Sequence, residues 1–195
     1  MDPRPQKGWY SRGYLPHMDA SGVIQAVTFR LADSLPKAVL RRWNSELAAS
    51  KDDPANIKLR KKIAAYEDAG HGACLLRNPQ NAIVVQDALL FFDGDRYHLL
   101  EWVIMPNHVH VLLRPEGDTI DRIIKTWKTH TAKTINRLIG TSGAIWERDY
   151  FDRYIRDESH YLAAKNYIHH NPVKAGLCAS PGDWLFGSAS GSADL

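Results

Sequence analysis

The run Val103-Ile104-Met105-Pro106-Asn107-His108-Val109-His110-Val111-Leu112-Leu113 sets the tightest limit on what this chain can fold into. The turn signal Pro106-Asn107 separates two apolar segments, so residues 97–105 and 109–113 are predicted as paired strands. Side chains alternate along a strand, which puts His108, His110 and Leu112 on one face and Val109, Val111 and Leu113 on the other. Neighbouring imidazoles on one face of an apolar strand suit a metal ion or an anionic substrate. Hydrogen-bonded core or surface histidines are the plainer alternative.

The other elements follow from local signals. Residues 23–31 read as a strand. Asp33-Ser34-Leu35-Pro36 marks the start of a helix running to about residue 49, with Asp33 or Ser34 as cap. A second, basic helix is expected over 57–66, carrying Lys58, Arg60, Lys61 and Lys62, and another from Asn78-Pro79 to about residue 92. Asp93-Gly94-Asp95 is a tight turn. Residues 119–139 form the clearest helix, with Ile120, Ile123, Ile124, Trp127, Thr131, Ile135 and Leu138 on one side. Arg122, Lys125, Lys133 and Arg137 lie opposite and Lys128 on the flank. Residues 150–156 read as a strand, and Asp157-Glu158-Ser159 caps a last helix expected to end at Asn171-Pro172. The Gly/Ser/Ala-rich chain after Trp184 is expected to fray.

This order predicts an α+β fold: a ferredoxin-like βαββαβ core with an antiparallel sheet and helices packed on it, an enlarged first helical connection, and an extra C-terminal helix. The expected divisions are a basic, aromatic segment over 1–22, one catalytic domain over 23–178 and a tail over 179–195. At 195 residues and 44% hydrophobic, the chain is long enough for one well-buried domain. A net charge of +3 does not by itself define a partner. Cys74 and Cys178 are far apart, without the spacing of a disulfide framework or zinc ribbon. Neither a secretory leader nor a membrane span is evident, so a cytoplasmic location without membrane contact is expected.

The last helix carries Tyr167 and Asn171, four residues apart and so on one face. Ala163 and Ala164 leave space beside the phenol. Asn171 can equally be a helix terminator before Pro172, and Tyr167 a core tyrosine with its hydroxyl at the rim. A functional reading uses His108, His110, Tyr167 and Asn171 together. Two neutral imidazoles and an amide oxygen would hold a divalent cation, Mn²⁺ or Mg²⁺, with positions left for substrate oxygens. A phenol beside it could attack a phosphodiester, with help in ionising because its unperturbed pKa is about 10.

These residues resemble the REP-associated tyrosine transposases, within the single-tyrosine HUH transposases. The resemblance rests on the histidine-pair run above and on Tyr167-Ile168-His169-His170-Asn171-Pro172-Val173-Lys174-Ala175-Gly176-Leu177. Trp146-Glu147-Arg148-Asp149-Tyr150-Phe151-Asp152-Arg153, Asp183-Trp184, Tyr14-Leu15-Pro16-His17 and the segment from Val27 to Pro36 add to it. The resemblance implies that His108 and His110 are metal ligands, Tyr167 the nucleophile and Asn171 the third ligand, where related enzymes often carry glutamine. It also implies cleavage of single-stranded DNA beside hairpins of repeated extragenic palindromes, through a 5′-phosphotyrosine link. A monomer is the expected state, with a dimer as the alternative. Arg4, Lys7, Arg12, Arg122, Lys125, Lys128, Arg153 and Arg156 could follow phosphates, and Trp9, Tyr10 and Tyr14 could stack on unpaired bases. Such basic faces are also often merely solvated. A hairpin-binding regulator that keeps the fold without the chemistry is the main rival, and a phosphodiesterase using water in place of tyrosine is a second.

Overall fold

Strict alternation along Gln25–Arg30 places Val27 and Phe29 on one face of a sheet and Ala26, Thr28 and Arg30 on the other. The computed structural model describes residues 8–11, 16–19, 22–35, 66 and 69–190. In it this strand, β3, follows a two-stranded antiparallel hairpin of β1 (Gly8–Ser11) and β2 (Pro16–Asp19). Then come helix α1 (Pro79–Leu90), strands β4 (Tyr97–Ile104) and β5 (His108–Pro115), helix α2 (Ile120–Ile139), strand β6 (Phe151–Tyr154) and helix α3 (Glu158–Lys174). The main sheet is antiparallel throughout, in the order β4-β5-β3-β6, so β5, the histidine strand, is an interior strand. The α+β class therefore holds. Both helices expected before α1 lie largely outside the described residues.

Alternation gives the sheet two dissimilar faces. On one, Val27, Phe29, Trp102, Ile104, Val109, Val111 and Leu113 form the main core with residues of α1 and α2. Phe29 packs edge-on against Trp146 at 4.9 Å, and Tyr97 against Trp127 at 5.2 Å. Trp127 Nε1 donates to the Tyr97 hydroxyl at 3.0 Å, which donates to the Leu89 carbonyl at 2.7 Å, so these buried polar atoms are satisfied. The other face carries a smaller cluster of Val103, Met105, Leu112 and Ile168, flanked by Tyr161, Ala164, Tyr167 and Trp184. Among the described residues, α3 is the helix that packs on the face bearing the histidines.

Caps and turns account for the boundaries. Asn78 accepts from the Gln80 N–H and starts α1, Thr119 caps α2, and Asp157 caps α3 by accepting from the His160 N–H. Gly140, in the left-handed region at φ 67°, ends α2. Three expectations need correction. Leu138 is 52% exposed, although Ile135 and Ile139 beside it pack into the core. α3 continues through Pro172 to Lys174, since only one turn follows the proline and the Ala175 and Leu177 N–H groups close it on Asn171 and Pro172. Finally, residues 184–190 are not frayed. The Ile104 N–H donates to the Phe186 carbonyl (2.8 Å), Val103 and Gly187 form a bridge, and Trp184 Nε1 donates to the Ile104 carbonyl (3.0 Å). This segment covers the edge of β4, which would otherwise expose unpaired backbone groups.

Candidate active site

His108 and His110 lie side by side on β5, both buried, with ring centroids 4.6 Å apart. Their outer nitrogens are held by polar neighbours: His108 Nδ1 is 2.7 Å from Asn107 Oδ1, and His110 Nδ1 is 2.7 Å from Thr28 Oγ1. Such contacts fix ring orientation and leave the Nε2 edges as the ones able to meet a ligand. Burial, the positive charge of Arg30 and the neighbouring imidazole together hold His108 well below its ordinary pKa, with burial the largest influence. Burial alone lowers His110 to about 3. Both rings are therefore neutral near neutral pH, the form that offers a lone pair.

Helix α3 crosses this face at the pair. The Asn171 amide is fully buried, and its Nδ2 lies 3.3 Å from His110 Nε2. One turn earlier, the Tyr167 ring meets the His110 ring edge-on at 5.2 Å. The strand and the helix thus bring together the four residues singled out in the sequence. The amide oxygen and nitrogen of Asn171 are nearly the same shape, so a half-turn presents Oδ1 in place of Nδ2. Among the described residues no group of three or more His, Cys, Asp or Glu side chains suits a metal. Any cation here would depend on the amide to complete the donor set.

Beside Tyr167 an open groove of about 480 Å³ is lined by Ala163, Asn166, Tyr167, His170, Val173 and Lys174. Lys174 Nζ stands 5.1 Å from the centre of the Tyr167 ring.

Residues 91–171 match the sequence pattern of a family described as "Transposase IS200 like". The chain is 30% identical over 105 residues to a REP-associated tyrosine transposase of Escherichia coli (strain K12), a match covering 53% of this chain and 61% of that protein. The chain is thus similar, over about half its length, to a REP-associated tyrosine transposase. A second relative, from Haemophilus influenzae, is 31% identical over 96 residues, covering 44% of this chain and 54% of its own. The chain therefore spans little more than half the length of the curated relatives it matches. Its fold is shared with a solved structure described as a REP-associated tyrosine transposase bound to a REP hairpin. That match has a TM-score of 0.53 and 20% identity, covering 92% of this chain and 81% of that one.

The residues expected to contact DNA divide between the two sides of the sheet. Arg153 is exposed on β6 opposite Ala26, hence on the α3 face, and Arg156 precedes the α3 cap. Arg122 and Lys125 are on α2, behind the sheet, with Arg122 3.5 Å from Asp118. Lys128 directs its ammonium at the carbonyls of Glu147, Arg148 and Asp149 (3.0, 3.4 and 2.8 Å), bracing the loop before β6. Arg4, Lys7, Arg12 and Tyr14 lie outside the described residues, but β2 of the N-terminal hairpin lies beside β6.

Three residues near the site were not picked out from the sequence. Arg30 stands opposite His108 in the β3–β5 register, and Thr28 opposite His110. The alternation of residues 27–31 carried that signal, but only the strand pairing reveals which residues they face. Lys174 was hidden by the expectation that the helix stops at Pro172.

Proposed function

We propose that this protein is a metal-dependent endonuclease and strand transferase that cuts single-stranded DNA beside palindromic hairpins. The observation that carries this reading is the meeting of Tyr167 and Asn171 with His110 at the crossing of α3 and β5. The name of the Escherichia coli relative and the hairpin in the solved neighbour support the choice of substrate.

His108, His110 and Asn171 would hold the divalent cation, and their mixed nitrogen and oxygen donors suit Mn²⁺, or Mg²⁺ with additional waters. When bound, the cation polarises the scissile phosphate and stabilises charge on its oxygens. Tyr167 supplies its phenolic oxygen to phosphorus. The bond from phosphorus to the 3′-oxygen breaks and a 5′-phosphotyrosine forms. The phenol gives up its proton to solvent and the departing 3′-oxygen takes one up, so the link retains the energy needed for rejoining. The Lys174 ammonium, close to the ring, favours negative charge on the phenolic oxygen.

Arg153 and Arg156, with Arg4, Lys7, Arg12 and Tyr14 of the N-terminal segment, would follow the strand toward Tyr167. Arg122 and Lys125 would serve only DNA that reaches round the sheet. In the test, a labelled hairpin oligonucleotide with a single-stranded flank is incubated with protein and Mn²⁺. The wild type should cleave it, while His108→Ala and His110→Ala bind the hairpin without cleaving. Undiminished cleavage by both variants, or free 5′-phosphate ends without an adduct, would contradict the proposal.

A further inference from the structure

Glu101 is a carboxylate on β4, only 6% exposed, on the side of the sheet that α3 covers. Its oxygens collect four side chains. Oε1 accepts from Lys165 Nζ at 2.6 Å and the Tyr161 hydroxyl at 3.3 Å; Oε2 lies 2.7 Å from His169 Nε2 and 2.9 Å from Ser188 Oγ. Tyr161, Lys165 and His169 recur every four residues and form one stripe along α3. At about 100° per residue, Tyr167 and Asn171 fall on the opposite flank, with Ile168 between the two stripes facing the sheet. Ser188 also accepts from the Trp102 N–H at 3.1 Å, which joins the edge-covering segment to the same carboxylate.

The apolar contacts of α3 are a weak guide to its orientation. Of its side chains only Ile168, Asn171 and Pro172 are buried, and Ala163 and Ala164 offer little shape to interlock. Ile168, with Tyr161, Ala164 and Tyr167 partly buried beside it, anchors the helix on the sheet but constrains its roll less sharply than directed polar bonds do. A buried carboxylate, by contrast, is tolerated only where its donors reach it, so it selects one roll and one height.

We infer that Glu101 is a positioning residue: through Tyr161, Lys165 and His169 it fixes the roll and axial height of α3, and thereby sets Tyr167 and Asn171 against His110. The effect on catalysis rests on the reading of Tyr167 as the nucleophile. Outer side-chain atoms of a helix lie about 5–6 Å from its axis, so a roll of about 10° shifts them by about 1 Å. A misplacement of about 1 Å can slow a reaction by about 10²-fold.

The test is single-turnover formation of the covalent adduct on a hairpin oligonucleotide with Mn²⁺, comparing wild type, Glu101→Leu, Glu101→Gln and Lys165→Met. The rate constant should fall about 10- to 100-fold in Glu101→Leu. It should fall less in Glu101→Gln, which keeps a carbonyl acceptor. Lys165→Met alters a 39%-exposed side chain, so folding should persist while the rate still drops. Adduct amplitude and hairpin affinity should stay within about twofold of wild type, and the nuclear Overhauser contact between the Tyr167 and His110 rings should weaken. A fall in amplitude at unchanged rate would mark loss of folded protein and overturn the positioning role, as would wild-type rates in Glu101→Leu and Lys165→Met. If wild type forms no adduct, the nucleophile reading fails by itself. The ring contact then decides: unchanged in Glu101→Leu and Lys165→Met, it overturns the positioning role; weakened, it upholds it.

Discussion

The Asn171 amide and His110 Nε2 stand 3.3 Å apart, one from near the end of α3 and the other from the middle of an interior strand. This contact gives the amide a role that helix termination does not. Asn171→Ala should reduce both Mn²⁺ affinity and cleavage while preserving hairpin binding, as measured by calorimetry and by a gel assay on one preparation. Retention of wild-type metal affinity would exclude the amide as a ligand.

Thr28 holds the far side of the His110 ring, 2.7 Å from Nδ1. Thr28→Val keeps the shape and removes the hydroxyl. Loss of such an orienting contact typically lowers metal affinity or activity by about 10–100-fold. The expected result is a fall of that size in Mn²⁺ affinity, with little change in thermal midpoint.

Behind the sheet, Tyr97 links Trp127 to the backbone of α1. Its burial pushes the phenol up to about 12, so it remains a neutral donor. Tyr97→Phe would leave the Trp127 N–H and the Leu89 carbonyl without this bridge. A loss of about 1–3 kcal/mol in urea unfolding is expected. Cleavage at 25 °C should be unchanged, because this network lies on the other face from His110.

Glu101 should leave its mark on the acid limb of stability. Burial works to raise its carboxyl, but hydrogen bonds from Lys165, His169 and Ser188 outweigh burial and hold it below its ordinary value of 4.5. A carboxyl lowered on folding adds stability that is fully present above the unfolded pKa and is lost as pH falls through the folded one. Lys165 is raised, chiefly by its hydrogen bond to Glu101, so its share is lost only as pH rises through its own folded pKa. Glu101→Gln should therefore flatten the decline of the unfolding midpoint below about pH 4.5. An acid limb as steep as in wild type would contradict this assignment.

Trp184 tests the edge cover. Trp184→Ala removes its hydrogen bond to the Ile104 carbonyl and its packing in the smaller cluster. About 2–3 kcal/mol of stability should be lost, from one hydrogen bond and a half-buried ring.

The sequence made much of this legible because its strongest signals are local. Alternation around His108 and His110 identified a buried strand, and the spacing of Tyr167 and Asn171 assigned them to one helix face. Glu101 was not legible, since Tyr161, Lys165 and His169 look like separate solvent-facing residues until β4 lies beneath α3. The order of the C-terminal segment is hidden from the sequence for the same reason. Its Gly/Ser composition suggests fraying, but Gly187 permits close approach to Trp102, and Ser188 finds Glu101 across the chain. Long-range pairing decides both.

The central claim is that Tyr167 becomes joined to DNA. The most direct measurement is mass mapping of the protein after reaction with a single-stranded hairpin substrate and Mn²⁺. The expected product is a nucleotide-bearing peptide modified at Tyr167, absent in Tyr167→Phe. A Tyr167→Phe protein that still forms the adduct, or a wild type that cleaves the substrate with no modified peptide, would contradict the claim.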